Sequence, residues 1–271
     1  MNTSAKLCRA SLSALILLQA ALPAFAAERT APDPVGYGKR FWGDFKELPK
    51  KPGTWSSGQW YLAGGVVAAT GVSLIYDEKI RSYNERHRSE TWRNISLADT
   101  RFGDYRYQVP IISGLYLGGL AFNSMTMRKM AADATEASVI AAFIINPTIC
   151  FMTGRALPNK KEDPSKFMPF RLHRFSFPSG HTAAAFALAS AADIDLRDTF
   201  GYWQTPFLYG MAASVGQSRI YDDKHYLSEV IFGGAIGWSI GTWIASKDRG
   251  ADRHSVTLLP YPNGAMLAYR F

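Results

Sequence analysis

The feature that most constrains this chain is a series of six apolar stretches of helical composition. They lie at about 59–76, 109–124, 134–153, 180–193, 204–217 and 228–246. Their apolar residues run all round the helix instead of forming one stripe, so each helix must be buried in protein or in lipid. Ala, Gly, Ser and Thr are frequent in them, which lets helices approach closely. Their lengths sit near the lower limit for crossing a bilayer. The mean hydropathy of −0.09 is low for six spans. A hydrophilic segment, 77–108, separates the first two stretches and reads as a loop rich in arginine, with Arg81, Arg86, Arg88, Arg93 and Arg101. The expectation is an all-α fold: a compact bundle of about six core helices that can rest on a membrane.

The flanks read differently. Lys6 and Arg9 precede an apolar core from Leu12 to Leu22 and a small-x-small site at Ala24-Phe25-Ala26, the pattern of a secretory signal over residues 1–26. Residues 27–58 are rich in Gly, Pro, Lys and aromatics and read as an irregular arm, before a helical domain over 59–246. In the tail, 247–271, two extended runs flank Pro262-Asn263-Gly264, a strong signal for a small β-hairpin. Of the two cysteines, Cys8 would leave with the signal. Cys150 alone cannot form an intrachain disulfide, and its apolar run marks a buried thiol.

The formal charge is +8, or +6 once Lys6 and Arg9 are removed. An exported basic protein favours anionic partners such as phosphorylated small molecules, lipid phosphates and a membrane surface. The basic residues are scattered and no nucleic-acid motif is present, which argues against nucleic acid.

Two short stretches carry the chemistry. One is Pro178-Ser179-Gly180-His181. The other runs from Ser218-Arg219 through Asp222-Asp223-Lys224-His225, with Glu229 four residues behind the histidine. On a helix His225 and Glu229 share a face, so the carboxylate can accept one ring N–H and leave the other nitrogen free to attack. Ser179 reads as the N-cap of the alanine-rich helix that follows, putting Ser179, Gly180 and His181 where free N–H groups favour an anion. Two histidines, a guanidinium and a carboxylate suffice to move a phosphoryl group covalently. Each stretch alone is ordinary helix-entry or polar chemistry; their pairing is the specific signal.

These residues resemble the type 2 phosphatidic acid phosphatase superfamily, which includes acid phosphatases, lipid phosphate phosphatases and vanadium haloperoxidases. The second family block is met by Pro178, Ser179, Gly180 and His181. The third is met by Ser218, Arg219 and His225, with Glu229 in place of Asp. The resemblance implies His225 as nucleophile with Glu229 as its partner carboxylate, His181 as general acid, and Arg219, Ser179 and Gly180 as phosphate binders. It implies no metal and no cofactor, although Asp222 and Asp223 stand beside His225.

The first block is degenerate. Gly154, Arg155 and Pro158 fit, but its lysine falls on Cys150 and its second arginine on Leu157. A thiol and an isobutyl group supply no charge. Arg155 is then a candidate substitute clamp, with Lys160, Arg171 and Arg174 as further cations nearby in sequence. The resemblance implies a metal-independent phosphatase acting through a phosphohistidine on phosphomonoesters or diphosphates; the signal adds a periplasmic location, and the apolar helices and aromatic arm favour a lipid phosphate. The alternative is a catalytically impaired phosphate- or lipid-binding homologue.

Overall fold

A computed structural model describes residues 34–269 apart from 161, 172–175, 253–255 and 262–263, with side chains described over 36–247. The predicted signal at 1–26 and Arg174 lie outside the described residues.

Helix α1 spans Pro34–Glu47 and runs into a 3₁₀ segment, Leu48–Thr54. Helix α2 spans Ser57–Arg86, α3 Glu90–Gly103 and α4 Tyr105–Ala121. Helix α5, Met125–Ser138, passes through a π-helical segment, Val139–Ile145, into α6, Asn146–Thr153. Helices α7 (Gly180–Phe200), α8 (Thr205–Tyr221) and α9 (Leu227–Asp252) follow. Strands β1, Val256–Tyr261, and β2, Gly264–Tyr269, pair antiparallel with Val256 opposite Tyr269. The fold is all-α in its body, as the six apolar stretches imply.

Helix starts follow local chemistry. Ser56 and Gln59 form a capping box at α2. Ser89, Asp104, Ser124 and Ser179 each accept a backbone N–H at the heads of α3, α4, α5 and α7. Gly154 ends α6 at φ +59°, where a Cβ would lie 1.7 Å from the Met168 carbonyl oxygen. Only glycine fits that turn.

The core is a sandwich of α5, α7 and α9. Ala137, Ile140, Ala141, Ala183, Ala187, Ile240 and Ile244 form its main cluster. Close approach comes from glycines at four-residue spacing on α9. A Cβ at Gly233 would lie 2.5 Å from the Ser179 carbonyl oxygen, at Gly237 2.1 Å from that of Ala183, and at Gly241 2.4 Å from that of Ala187. Helix α9 therefore lies with its glycine stripe on the backbone of α7.

Two sequence expectations need correction. Within 27–58, residues 34–54 are helical instead of irregular. Phe41 and Leu48 pack against the core cluster. Arg40 pairs with Asp133 at 2.9 Å and Glu136 at 3.5 Å, while Lys247 pairs with Asp44 and Glu47. Tertiary packing overrides the low helix propensity of the glycines here. The segment 77–108 is also helical over most of its length, because its polar side chains have partners on α8 and the loop after it. Arg81 holds Asp223 at 2.7 Å, Ser96 donates to Asp222 at 2.9 Å, and Thr100 meets the Ser218 hydroxyl at 3.0 Å.

Candidate active site

The site is built where the start of α7, the end of α8 and the start of α9 meet. Helix α8 ends at Tyr221, and the loop turns back so that the N–H groups of Lys224 and His225 both donate to the Arg219 carbonyl, at 2.9 and 3.1 Å. Asp223 takes φ +57° in this turn. The turn delivers His225 to the head of α9, where Nδ1 lies 2.8 Å from Glu229 Oε2. Glu229 is wholly buried and His225 nearly so.

The partners of Glu229 fix its role. Oε2 also accepts from the Ser176 hydroxyl at 2.6 Å and the Tyr226 N–H at 3.2 Å. Oε1 faces Arg155 Nη1 at 3.1 Å. Every neighbour is a donor, so the group is a carboxylate and His225 Nδ1 must donate to it. In the neutral ring, that tautomer leaves Nε2 without a proton.

Arg155 lies behind this pair. It is 1% exposed. Nε donates to the Pro164 carbonyl at 2.9 Å, Nη1 to the Ser228 hydroxyl at 2.9 Å and Nη2 to Asp77 Oδ2 at 2.8 Å. Its guanidinium lies 4.2 Å from the Tyr226 ring centroid and 5.4 Å from that of Phe167. Asp77 in turn accepts from the Ser228 N–H at 3.0 Å and hydroxyl at 2.6 Å. The expected substitute clamp is thus engaged on all three nitrogens between two buried carboxylates. It orients Glu229 and is not open to a phosphate.

The front of the site is different. Arg219 Nη2 donates to Asp222 at 2.8 Å, but its Nε is buried with no partner among the described residues. A buried N–H without an acceptor is costly unless a ligand supplies one. Burial lowers the guanidinium pKa from its usual value, with Asp222 and then Asp104 opposing. His181, on the first turn of α7, feels Arg219 and His225; burial, helped by those two groups, pushes its pKa down to about 4. The ring is neutral at pH 7.

Ser179 plays a narrower part than its motif suggests. Its hydroxyl accepts from the Thr182 N–H at 3.4 Å and the Thr182 hydroxyl at 2.9 Å, and its own N–H donates to the Glu229 carbonyl at 3.0 Å. It caps α7 and ties it to α9, while its hydroxyl, an acceptor in both Thr182 contacts, still carries one O–H donor. The N–H groups of Gly180 and His181, the first two of the helix, remain for an anion.

Cys150 is buried, 3.6 Å from Asn146 Oδ1 and 3.7 Å from the Pro178 carbonyl. Asn146 Nδ2 donates to the same carbonyl at 2.8 Å. The residue at the expected lysine position therefore packs beneath the Pro178–Gly180 turn. Leu157 is half-buried, and Lys160 and Arg171 are exposed. No metal-ligand cluster occurs among the described residues.

Residues 133–250 match the PAP2 superfamily model. The matched segment is similar in sequence to the PAP2 superfamily. It contains α7, α8 and α9 and both histidine stretches. A lipid A 1-phosphatase from Porphyromonas gingivalis is 37% identical over 186 residues, covering 66% of this chain and 37% of the relative. The chain thus spans little more than a third of that protein's length. Among solved structures, the transmembrane PAP2 type phosphatidylglycerolphosphate phosphatase from Bacillus subtilis superposes with a TM-score of 0.53 at 16% identity, over 70% of this chain and 98% of that one. That likeness extends the PAP2 fold beyond the matched segment.

Three contributors escaped the sequence reading: Asp77, Ser176 and Ser228. Asp77 had one visible signal, the first carboxylate after the apolar run Val72-Ser73-Leu74-Ile75-Tyr76. The two serines had none.

Proposed function

We propose that the protein is an exported, membrane-associated phosphatase that hydrolyses a lipid phosphomonoester or diphosphate through a phosphohistidine on His225. The observation that carries this reading is the His225–Glu229 pair set beside Arg219, whose buried Nε has no acceptor among the described residues. In the first step the Nε2 lone pair of His225 attacks phosphorus and the bond to the leaving oxygen breaks. His181 donates the proton that the leaving oxygen takes up. The positive charge left on the His225 ring is balanced by Glu229. Arg219 Nε and the Gly180 and His181 N–H groups hold the non-bridging oxygens. In the second step His181 takes a proton from water as the water oxygen attacks phosphorus, and the N–P bond breaks to release phosphate. His181 must be protonated for the first step. An arriving phosphate dianion raises its pKa from about 4, offsetting burial and the Arg219 charge.

The lipid preference rests on the surface. Ile75 on α2 is 78% exposed and Trp203, just before α8, 87%; Leu117, Phe122 and Phe207 are also largely exposed. Apolar exposure on this scale marks contact with lipid or protein. The stretch Met125–Thr153 is the one described helix long and apolar enough to cross a membrane. The lipid phosphatases among the relatives support the same substrate class.

The test is phosphate release from mixed micelles of lipid phosphates and from a soluble aryl phosphate, with His225→Ala as control. Release abolished by the control, together with an acid-labile, base-stable phosphoenzyme after quenching, is the expected result. No release from any substrate by folded protein that still binds orthophosphate would favour the second reading, a binding homologue. That alternative is motivated by Cys150, Leu157 and the engaged Arg155.

A further inference from the structure

Among the described residues, the phosphate site is short of cations. Cys150 and Leu157 supply none, Arg155 is held behind Glu229, and Arg219 remains. We propose that Arg106 is the missing clamp, a phosphate-binding residue that reaches the reacting phosphoryl group from the head of α4. This rests on the phosphatase reading above.

Position comes first. Gly103, the last residue of α3, lies against the first turn of α7: a Cβ there would be 2.7 Å from the His181 carbonyl oxygen and 2.5 Å from a Val215 methyl. No larger residue fits, so the turn from α3 into α4 is pressed onto the part of α7 that carries His181. The next residue, Asp104, is buried and caps α4 by accepting the Arg106 N–H at 2.9 Å. Arg106 is therefore anchored within three residues of the contact with His181.

Orientation comes second. Asp104 also accepts from the Arg106 side chain. Nε lies 3.1 and 3.0 Å from the two carboxylate oxygens, and Nη2 lies 2.5 Å from Oδ2. The guanidinium is held as a fork, which lowers the entropy lost on gripping a second anion. Nη1 has no partner among the described residues, and the side chain is 71% exposed. Arg155 and Arg106 are opposites in this respect: one has every nitrogen engaged, the other keeps a free edge.

Electrostatics agree. The charges of Arg106 and Asp104 both register at His181, and Asp104 also registers at Arg219. Arg106 holds the Asp104 carboxyl down at about 2, so the pair stays ionised at every working pH. Without Arg106, Asp104 would present an uncompensated negative charge to an arriving phosphate. The pairing makes a direct clamp separable from simple neutralisation.

The experiment is calorimetric titration of the full-length protein in detergent with orthophosphate, alongside orthophosphate inhibition of turnover. The variants are Arg106→Ala, Arg106→Lys and the double change Arg106→Ala with Asp104→Asn. Asparagine keeps the helix cap while removing the charge. If Arg106 grips phosphate, Arg106→Ala weakens orthophosphate binding by about tenfold to a hundredfold. Lysine then recovers part of the loss, and the double variant stays weak. Two results overturn the inference while leaving the phosphatase reading intact: unchanged binding in Arg106→Ala, or wild-type affinity in the double variant. Wild-type protein that neither binds orthophosphate nor releases phosphate from any substrate overturns both. Melting temperatures of the variants separate lost binding from lost fold.

Discussion

The two sides of the histidine pair follow opposite rules. Behind it, Asp77, Arg155, Ser228, Ser176 and Glu229 are joined by hydrogen bonds and ion pairs of 2.6 to 3.1 Å, with Glu229 Oε1 meeting only the Arg155 charge. In front of it, Arg219 Nε and Arg106 Nη1 have no partner among the described residues, and burial lowers the pKa of His181. The back sets geometry and the front is left open for an anion. One residue type serves both ends, so an arginine in a motif reveals its role only through its partners. The contrast can be tested by disturbing each side and asking whether stability or ligand binding answers.

The largest effect is expected from Arg155→Ala. It leaves Asp77 and Glu229 buried without their cation. Breaking such a buried pair costs about 3 to 5 kcal/mol. Chemical unfolding should show the loss directly, and orthophosphate should not restore the variant, because Arg155 is not a phosphate ligand. Arg155→Lys should recover little, since one ammonium cannot serve Pro164, Ser228 and Asp77 together. A variant of near wild-type stability whose phosphate affinity alone falls would put Arg155 at the front and break the contrast.

This division was only half legible in the sequence. The pair His225 and Glu229 could be read because four residues make one helical turn, and Arg219 because the Ser218-Arg219 pair stands before His225 as in the third block of the resembled family. The Ala-, Gly- and Ser-rich runs announced the six core helices. What was lost depended on partners far along the chain. Arg155 meets Asp77 across 78 positions and Ser176 meets Glu229 across 53, and no local periodicity links them. The same distance misled the fold reading over 77–108. Arg81, Ser96 and Thr100 look like loop residues until the loop after α8 supplies their partners. Motif position located Arg155 but could not give its direction. Arg106 carried no motif at all.

The next effect belongs to the front and is read through pH. His181 titrates at about 4 when folded, against 6.5 for an unperturbed histidine. Its folded pKa is depressed, so between pH 6.5 and 4 the unfolded chain binds more protons than the native one. Stability is full above about pH 6.5, falls as pH drops through that window, and levels off below 4. A shift of this size corresponds to about 3 kcal/mol. His181→Asn should flatten this segment of the stability profile, measured by denaturant unfolding at a series of pH values. Bound orthophosphate should move the window upward, because its charge favours the protonated ring. An unchanged slope in His181→Asn would assign the titration to another group and remove His181 from the burial argument.

The smallest effect tests what keeps the two sides in register. Gly233 lets α9 meet the Ser179 carbonyl, next to the N–H that Ser179 donates to the Glu229 carbonyl. Gly241 makes an equivalent contact with Ala187 two turns away from the site. A methyl at either position must push α7 and α9 apart, an overpacking cost of about 1 to 3 kcal/mol. Gly233→Ala and Gly241→Ala should therefore lose similar stability. Their activities should differ, because only Gly233→Ala displaces the first turn of α7, with His181, from the Glu229 side of the site. Equal activity loss in both would mean that the helices move as a rigid pair and that the register is set by the loops instead. A loss confined to Gly233→Ala would show that the glycine stripe holds front and back together.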